Sequence, residues 1–141
     1  MRKINISILL GLLLILTSFN SLNRQYRLQT IVIDAGHGGK DPGARGKFSW
    51  EKDIALSISL ELGRILKENI PYVNVLYTRK EDRFLTLYRR SEIANKAEAD
   101  LFISIHADSF SKSSVYGATT YLMGLSKSSA NMNVAKRENS V

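Results

Sequence analysis

The stretch Ile31-Val-Ile-Asp-Ala-Gly-His-Gly-Gly39 decides the fold of this chain. A short, largely β-branched apolar run ends in a glycine-rich turn that carries His37, one of two histidines in the sequence. The second histidine ends another apolar run, Leu101-Phe-Ile-Ser-Ile-His106. In open α/β sheets ligands gather at the carboxyl ends of the strands, and neutral imidazole is a common metal ligand. Two strands that each end in a histidine therefore predict a metal site at one edge of a sheet.

The rest of the sequence alternates strand-like and helix-like segments. Predicted elements, in chain order, are strand 30–34, helix 51–69, strand 72–78, helix 86–97, strand 101–106, strand 117–122 and helix 128–138. This order predicts an α/β fold with a mostly parallel sheet, flanking helices and right-handed crossovers. In the first helix, apolar residues recur at steps of three and four, which predicts that one face packs on the sheet. The residues of that face are Ile54, Ala55, Ile58, Leu62, Ile65 and Leu66.

Composition limits the class of protein. The 141 residues suffice for one domain, and the net charge of +7 fits attraction to an anionic polymer. The basic residues are scattered without interleaved aromatic side chains, so we expect no nucleic-acid partner. The chain has no cysteine, which excludes disulfides and thiolate metal ligands.

The first 23 residues are typical of a signal peptide or an N-terminal anchor. The basic Met1-Arg-Lys3 precedes the apolar block Ile8-Leu-Leu-Gly-Leu-Leu-Leu-Ile-Leu16, after which the sequence turns polar. The apolar block is shorter than the roughly 20 residues that a membrane-spanning helix needs. We therefore expect export to the periplasm or cell envelope, with membrane contact only through this segment if it is not cleaved.

The third ligand of the predicted metal site is a glutamate. A catalytic zinc has three protein ligands and one open position, and Glu51 begins the predicted helix directly after the glycine-rich loop. The sequence thus predicts a zinc site made of His37, Glu51 and His106. A phosphate-binding loop is disfavoured because no Gly-Lys-Ser/Thr follows the glycines, and no Gly-x-Ser-x-Gly motif supports a serine hydrolase.

A series of motifs, in order, resembles the zinc-dependent N-acetylmuramoyl-L-alanine amidases of the type-3 family. The motifs are Asp34-Ala-Gly-His-Gly-Gly-Lys-Asp-Pro-Gly-Ala44, Glu51-Lys-Asp53, Thr78-Arg79, Leu87-Tyr-Arg-Arg-Ser-Glu-Ile-Ala-Asn95, Ala99-Asp-Leu-Phe-Ile-Ser-Ile-His-Ala-Asp108 and Gly117-Ala-Thr-Thr-Tyr121. The resemblance implies a parallel-rich α/β fold and hydrolysis of the amide between N-acetylmuramic acid and L-alanine in peptidoglycan. It carries ligand roles onto His37, Glu51 and His106. Peptidoglycan is the implied partner, with a regulatory activator protein as a further expectation.

One part of the family pattern has no counterpart in the sequence. The family has a second glutamate that acts as the general base, and the surroundings of Glu138 do not match it. We therefore expect residues 28–141 to be an amidase catalytic domain truncated at its C-terminal end, with the base beyond Val141. Two alternatives stay open: a peptidoglycan-binding fragment without catalysis, and a zinc exopeptidase that acts on wall peptides.

Three charged residues receive weaker predictions. Arg79 and Arg90 could bind a peptide carboxylate bidentately, or could be a solvated strand-end charge and a helix-face ion pair. Asp34 could orient His37 or cap the turn that follows it.

Overall fold

The computed structural model describes residues 27–107 and 114–122, and its sheet has three parallel strands. The elements are β1 (Thr30–Ala35), α1 (Glu51–Asn69), β2 (Asn74–Tyr77), α2 (Leu87–Lys96) and β3 (Leu101–Ile105). The strand order is β2-β1-β3, with Ile33 paired to Tyr77 on one side and to Ile103 on the other. The predicted α/β class and parallel sheet are confirmed.

Most of the predicted boundaries agree with the structure to within two residues. Helix α1 begins at Glu51 as expected, and Thr86 caps α2 by accepting a hydrogen bond from the N–H of Arg89. The prediction of a fourth strand at residues 117–122 is wrong. These residues are exposed and pair with no strand of the described part of the chain, and a strand exists only through its ladder.

The two helices cover opposite faces of the sheet. Leu62 and Leu66 of α1 pack against Ile31 and Ile33 of the core cluster. Arg90 of α2 reaches Asp34, whose side chain points to the other face because neighbours along a strand alternate. The sheet is therefore a central layer between α1 and α2.

The predicted apolar face of α1 is only partly buried. Ala55 is buried together with the small residues Ser59 and Gly63, whereas Ile54, Ile58 and Ile65 are exposed. Small residues allow the helix backbone to approach β2 closely: a Cβ on Gly63 would lie 1.8 Å from the Tyr77 hydroxyl oxygen. Apolar periodicity predicted the helix correctly. It also predicted that the large isoleucines would be buried, whereas the buried face consists of small residues.

The topology creates a crevice at one end of the sheet. The chain leaves β1 toward β2 and then crosses to β3 on the other side of β1, so the connections diverge above the carboxyl ends of β1 and β3. Open α/β sheets bind ligands at such switch points. His37 follows β1 and His106 follows β3, so both histidines lie at this crevice.

A buried carboxylate joins the elements below the crevice. The side chain of Asp34, 3% exposed, accepts hydrogen bonds from the Thr78 hydroxyl (2.6 Å), from Nη1 of Arg90 (2.7 Å) and from the Ser104 hydroxyl (2.9 Å). These partners come from the end of β2, from α2 and from β3. Asp34 thus binds its neighbouring elements together and does not contact His37, contrary to one of its predicted roles.

Several predictions lie outside the described residues. They are the signal peptide or anchor at residues 1–23 and the helix at 128–138. Among the residues that the structure describes, none of the helices has the length and apolar character to cross a bilayer.

We expect Asp34→Asn to destabilise the fold strongly. The substitution keeps the shape but leaves the buried Arg90 guanidinium without its counter-charge, a change that costs about 3 kcal/mol or more. Urea unfolding followed by circular dichroism measures this free energy. Glu92→Gln, which removes a charge from a surface ion cluster on α2, is the control and should leave the midpoint near that of the wild type. A loss below about 1 kcal/mol for Asp34→Asn would contradict the structural role of the network.

Candidate metal centre

The glycine-rich loop presents His37 in an unusual backbone conformation. His37 has φ of +58°, in the left-handed region, and is followed by Gly38 and Gly39, which also have positive φ. Its Nδ1 lies 3.0 Å from Oδ2 of Asp41, four residues later. Because this carboxylate accepts the Nδ1 proton, Nε2 is left with its lone pair directed away from Asp41.

Two buried arginines hold the loop from below. Arg79, 1% exposed, donates to the carbonyl oxygens of Ala35 (3.0 Å) and Gly36 (2.7 Å), while Arg90, 5% exposed, donates to those of Ala35 and His37, both at 2.6 Å. The prediction that these arginines bind a substrate carboxylate does not fit their burial. Their guanidinium donors are directed at main-chain carbonyls and Asp34, so both side chains support the site from beneath.

Glu51 reaches the crevice because the loop itself caps α1. Trp50, at the N-cap, makes no side-chain hydrogen bond, and the carbonyls of Ala44 and Pro42 accept from the N–H groups of Glu51 and Lys52 instead. The Glu51 side chain, 5% exposed, turns back into the loop, where Oε2 accepts from the N–H of Ala44 (2.8 Å). The loop and the first helical turn are therefore fixed to each other.

The carboxylate of Glu51 is the meeting point of the site. Its Oε1 lies 3.2 Å from Nε2 of His37, 3.1 Å from Nδ1 of His106 and 2.9 Å from the main-chain nitrogen of Ala107. Burial by itself would raise the pKa of Glu51, but His106, the N–H groups of Ala44 and Ala107, and His37 together lower that pKa to about 2. Glu51 is therefore an anion at neutral pH.

Two glycines make room for the histidine rings. A Cβ on Gly36 would lie 2.5 Å from Cε1 of His106, and one on Gly43 would lie 2.6 Å from Cδ2 of His37 and 2.8 Å from Oε2 of Glu51. Side chains at these positions would displace the rings. Close packing against the rings therefore requires glycine at positions 36 and 43, and Gly43 also has a positive φ of +66°.

The three predicted ligands converge as expected. One donor atom each from His37, Glu51 and His106 lies within 4.8 Å of the others, and the two imidazole rings meet edge to face at 5.0 Å between centroids. Nε2 of His37 is buried and has no hydrogen-bond partner, although Glu51 Oε1 is 3.2 Å away. A lone pair that faces a carboxylate oxygen in a buried site is repulsive unless a cation or proton lies between them. The donor set of two imidazoles and one carboxylate matches that of hydrolytic zinc sites, so these residues fit a zinc ion.

Sequence reasoning missed the residues that orient this cluster. Asp41 holds His37, and Lys52 bridges the carbonyl oxygen of Gly39 (3.1 Å) and Oδ2 of Asp82 (2.6 Å). Asp82 in turn accepts from the N–H of Gly39 at 2.7 Å. The spacing of Asp41, four residues after His37 in a tight glycine loop, is a signal that could have revealed it.

Comparison with known proteins agrees with this geometry. The family model described as N-acetylmuramoyl-L-alanine amidase matches residues 31–140. The chain is 40% identical over 114 residues to N-acetylmuramoyl-L-alanine amidase AmiA of Escherichia coli K12, a match that covers 79% of this chain and 39% of that protein. The chain spans less than half the length of this and other curated relatives that it matches.

Two solved structures share the fold. The catalytic domain of the amidase CwlV from Bacillus (Paenibacillus) polymyxa var. colistinus is 41% identical, with a TM-score of 0.58 and coverage of 62% of this chain and 50% of that domain. The CwlD amidase of Clostridioides difficile, solved in complex with the GerS lipoprotein, is 37% identical, with a TM-score of 0.58 and coverage of 63% and 53%. With a family match over residues 31–140 and this structural likeness, the chain belongs to the type-3 N-acetylmuramoyl-L-alanine amidase family.

Proposed function

We propose that this protein is a zinc-dependent hydrolase of the amide between N-acetylmuramic acid and L-alanine in peptidoglycan. The observation that carries the proposal is the convergence of His37, Glu51 and His106, including a buried, unpartnered Nε2, at the switch point of the sheet. Membership of the amidase family supports the choice of substrate. The zinc exopeptidase alternative has no observation of its own in its favour.

The residues of the crevice would divide the work as follows. His37, Glu51 and His106 would hold the ion, with Glu51 contributing the negative charge. When bound at such a site, zinc polarises a carbonyl group and lowers the pKa of water to about 7. Asp41 accepts a hydrogen bond from the Nδ1 proton of His37, and so the lone pair of Nε2 stays free to bind the metal. Close packing of the His106 ring against Gly36 and of the His37 ring against Gly43 fixes the orientations of both rings.

The general base stays a prediction. Within residues 27–107 and 114–122, the three candidate ligands form one cluster, and no second carboxylate is part of it. We expect the base to be a glutamate beyond Val141, as the family resemblance implies. A form that binds peptidoglycan without cutting it stays an open alternative.

Location and partners follow from the same proposal. Hydrolysis of peptidoglycan places the protein in the cell envelope, and the net charge of +7 favours an anionic wall. An activator protein is a proposed partner, supported by a related amidase whose structure contains a lipoprotein.

Glu51→Gln should abolish zinc binding and wall digestion. The amide keeps the size of the side chain but loses the charge that the ion requires. Zinc content is measured by elemental analysis of the purified full-length protein, which would include the expected base, and digestion by the appearance of L-alanine amino termini in purified sacculi. Glu61→Gln on the exposed side of the same helix is the matched control, and it should keep about one zinc per chain.

The outcomes of this experiment separate the candidates. Zinc and digestion in the wild type and in Glu61→Gln, both lost in Glu51→Gln, support the proposed hydrolase. Zinc and sacculus binding without any release of amino termini support the binding form. Undiminished digestion by Glu51→Gln would contradict the metal mechanism, and release of amino acids from free stem peptide would favour the exopeptidase.

Asp41→Asn should weaken zinc binding without removing it. The neutral amide is a poorer acceptor for the Nδ1 proton of His37, and loss of such an outer partner typically weakens metal affinity by about 10- to 100-fold. Competition with a chromophoric chelator measures the affinity. The exposed Asp53→Asn serves as the control, and equal affinities for the two variants would show that Asp41 does not orient the ligand.

A further inference from the structure

One nitrogen of Arg79 touches both segments that carry the first two candidate ligands. Its Nη2 donates to the carbonyl oxygen of Gly36 (2.7 Å) and to that of Lys52 (2.8 Å). Gly36 directly precedes His37, and Lys52 directly follows Glu51. A single donor thus links the residue before one ligand to the residue after the other.

The remaining donors of Arg79 fix the guanidinium itself. Nε donates to the carbonyl oxygen of Ala35 (3.0 Å), and Nη1 donates to that of Glu81 (3.2 Å). Hydrogen bonds from Nε and Nη1 therefore fix the guanidinium plane, and this rigid, planar group keeps its main-chain acceptors at a set separation. A lysine ammonium is a single point of charge and cannot occupy these four acceptors in the same geometry.

Arg79 hydrogen-bonds to the main chain and not to an acidic side chain. Arg79 is 1% exposed, and all four of its hydrogen bonds end on main-chain carbonyls. A stabilising ion pair is already supplied at this end of the sheet by Arg90 and Asp34. The contacts of Arg79 instead run from the end of β1, through the glycine loop, to the first turn of α1.

A second link joins the same two segments on the solvent side. The Lys52 ammonium donates to the carbonyl oxygen of Gly39, two residues after His37, and its partner Asp82 accepts from the N–H of Gly39. The His37 turn is therefore linked to the start of α1 by a buried contact through Arg79 and by a more exposed contact through Lys52. The outer link is more exposed than the Arg79 link and can be removed with less risk to the fold.

We propose that Arg79 is a positioning residue that sets the separation of the His37 and Glu51 donor atoms and thereby sets zinc affinity. This inference rests on the proposed function. In this role Arg79 does not contact the substrate. Replacing its guanidinium by a lysine ammonium should change metal binding in a protein that is still folded.

The test compares Arg79→Lys with Arg83→Lys in the full chain. Arg83 lies in the same loop and makes a hydrogen bond to the carbonyl oxygen of Thr78, so it offers the same substitution without a link between the ligand segments. We expect Arg79→Lys to bind zinc about 10- to 100-fold more weakly than the wild type, as loss of an outer support does. Visible absorption of the Co²⁺-loaded protein should change in Arg79→Lys and match the wild type in Arg83→Lys.

Circular dichroism of the metal-free variants shows whether each is folded. If Arg79→Lys does not fold, Lys52→Gln decides the matter, since it removes the outer link: weaker zinc binding supports the positioning of the loop against α1, and wild-type affinity overturns it. A folded Arg79→Lys with wild-type zinc affinity and Co²⁺ spectrum also overturns the inference. A wild-type chain that binds no zinc would instead contradict the proposed function itself.

Discussion

The structure depends on a buried carboxylate at the centre of the sheet. Asp34 lies on the middle strand and receives hydrogen bonds from Thr78, Ser104 and Arg90, so the flanking strands and α2 all meet at one side chain. A carboxylate without such partners would be costly to bury, and the surrounding donors offset that cost only while every one of them is in place. The alignment of the three strands and α2 therefore depends on the charge of the Asp34 carboxylate.

The candidate metal centre lies directly above this polar layer. Arg90, which pairs with Asp34, also donates hydrogen bonds to the carbonyl oxygens of Ala35 and His37. Arg79 donates to the carbonyl oxygen between them, that of Gly36. Three successive carbonyls at the end of β1 are therefore occupied by buried guanidinium groups. This explains how a glycine-rich loop, whose backbone has many accessible conformations, can hold a histidine at φ of +58°. Glycine provides the close approach of the rings, and the arginines provide the rigidity.

The sequence predicted the ligands better than their supports, for a physical reason. His37, Glu51 and His106 stand at element boundaries, and the parallel topology brings such boundaries to one edge whatever the details of packing. The partners of these residues depend on side-chain directions across long separations, such as Arg79 with Gly36 or Arg90 with Asp34. No local period encodes those contacts, so the sequence left the two arginines open between binding a peptide carboxylate and serving as a solvated strand-end charge and a helix-face ion pair. The predicted strand at 117–122 was wrong because β-prone residues do not by themselves specify a partner strand, and these residues pair with none in the described part of the chain.

X-ray absorption at the zinc edge of the metal-loaded full chain tests the central claim most directly. The account predicts one zinc per chain with two imidazole ligands and a mixed nitrogen and oxygen shell at about 2.0 to 2.2 Å. Because residues 1–141 contain two histidines and no cysteine, two imidazole ligands contributed by these residues are His37 and His106. A first shell with fewer than two imidazoles, or a folded chain that takes up no zinc, would contradict the assignment of this crevice as the metal centre.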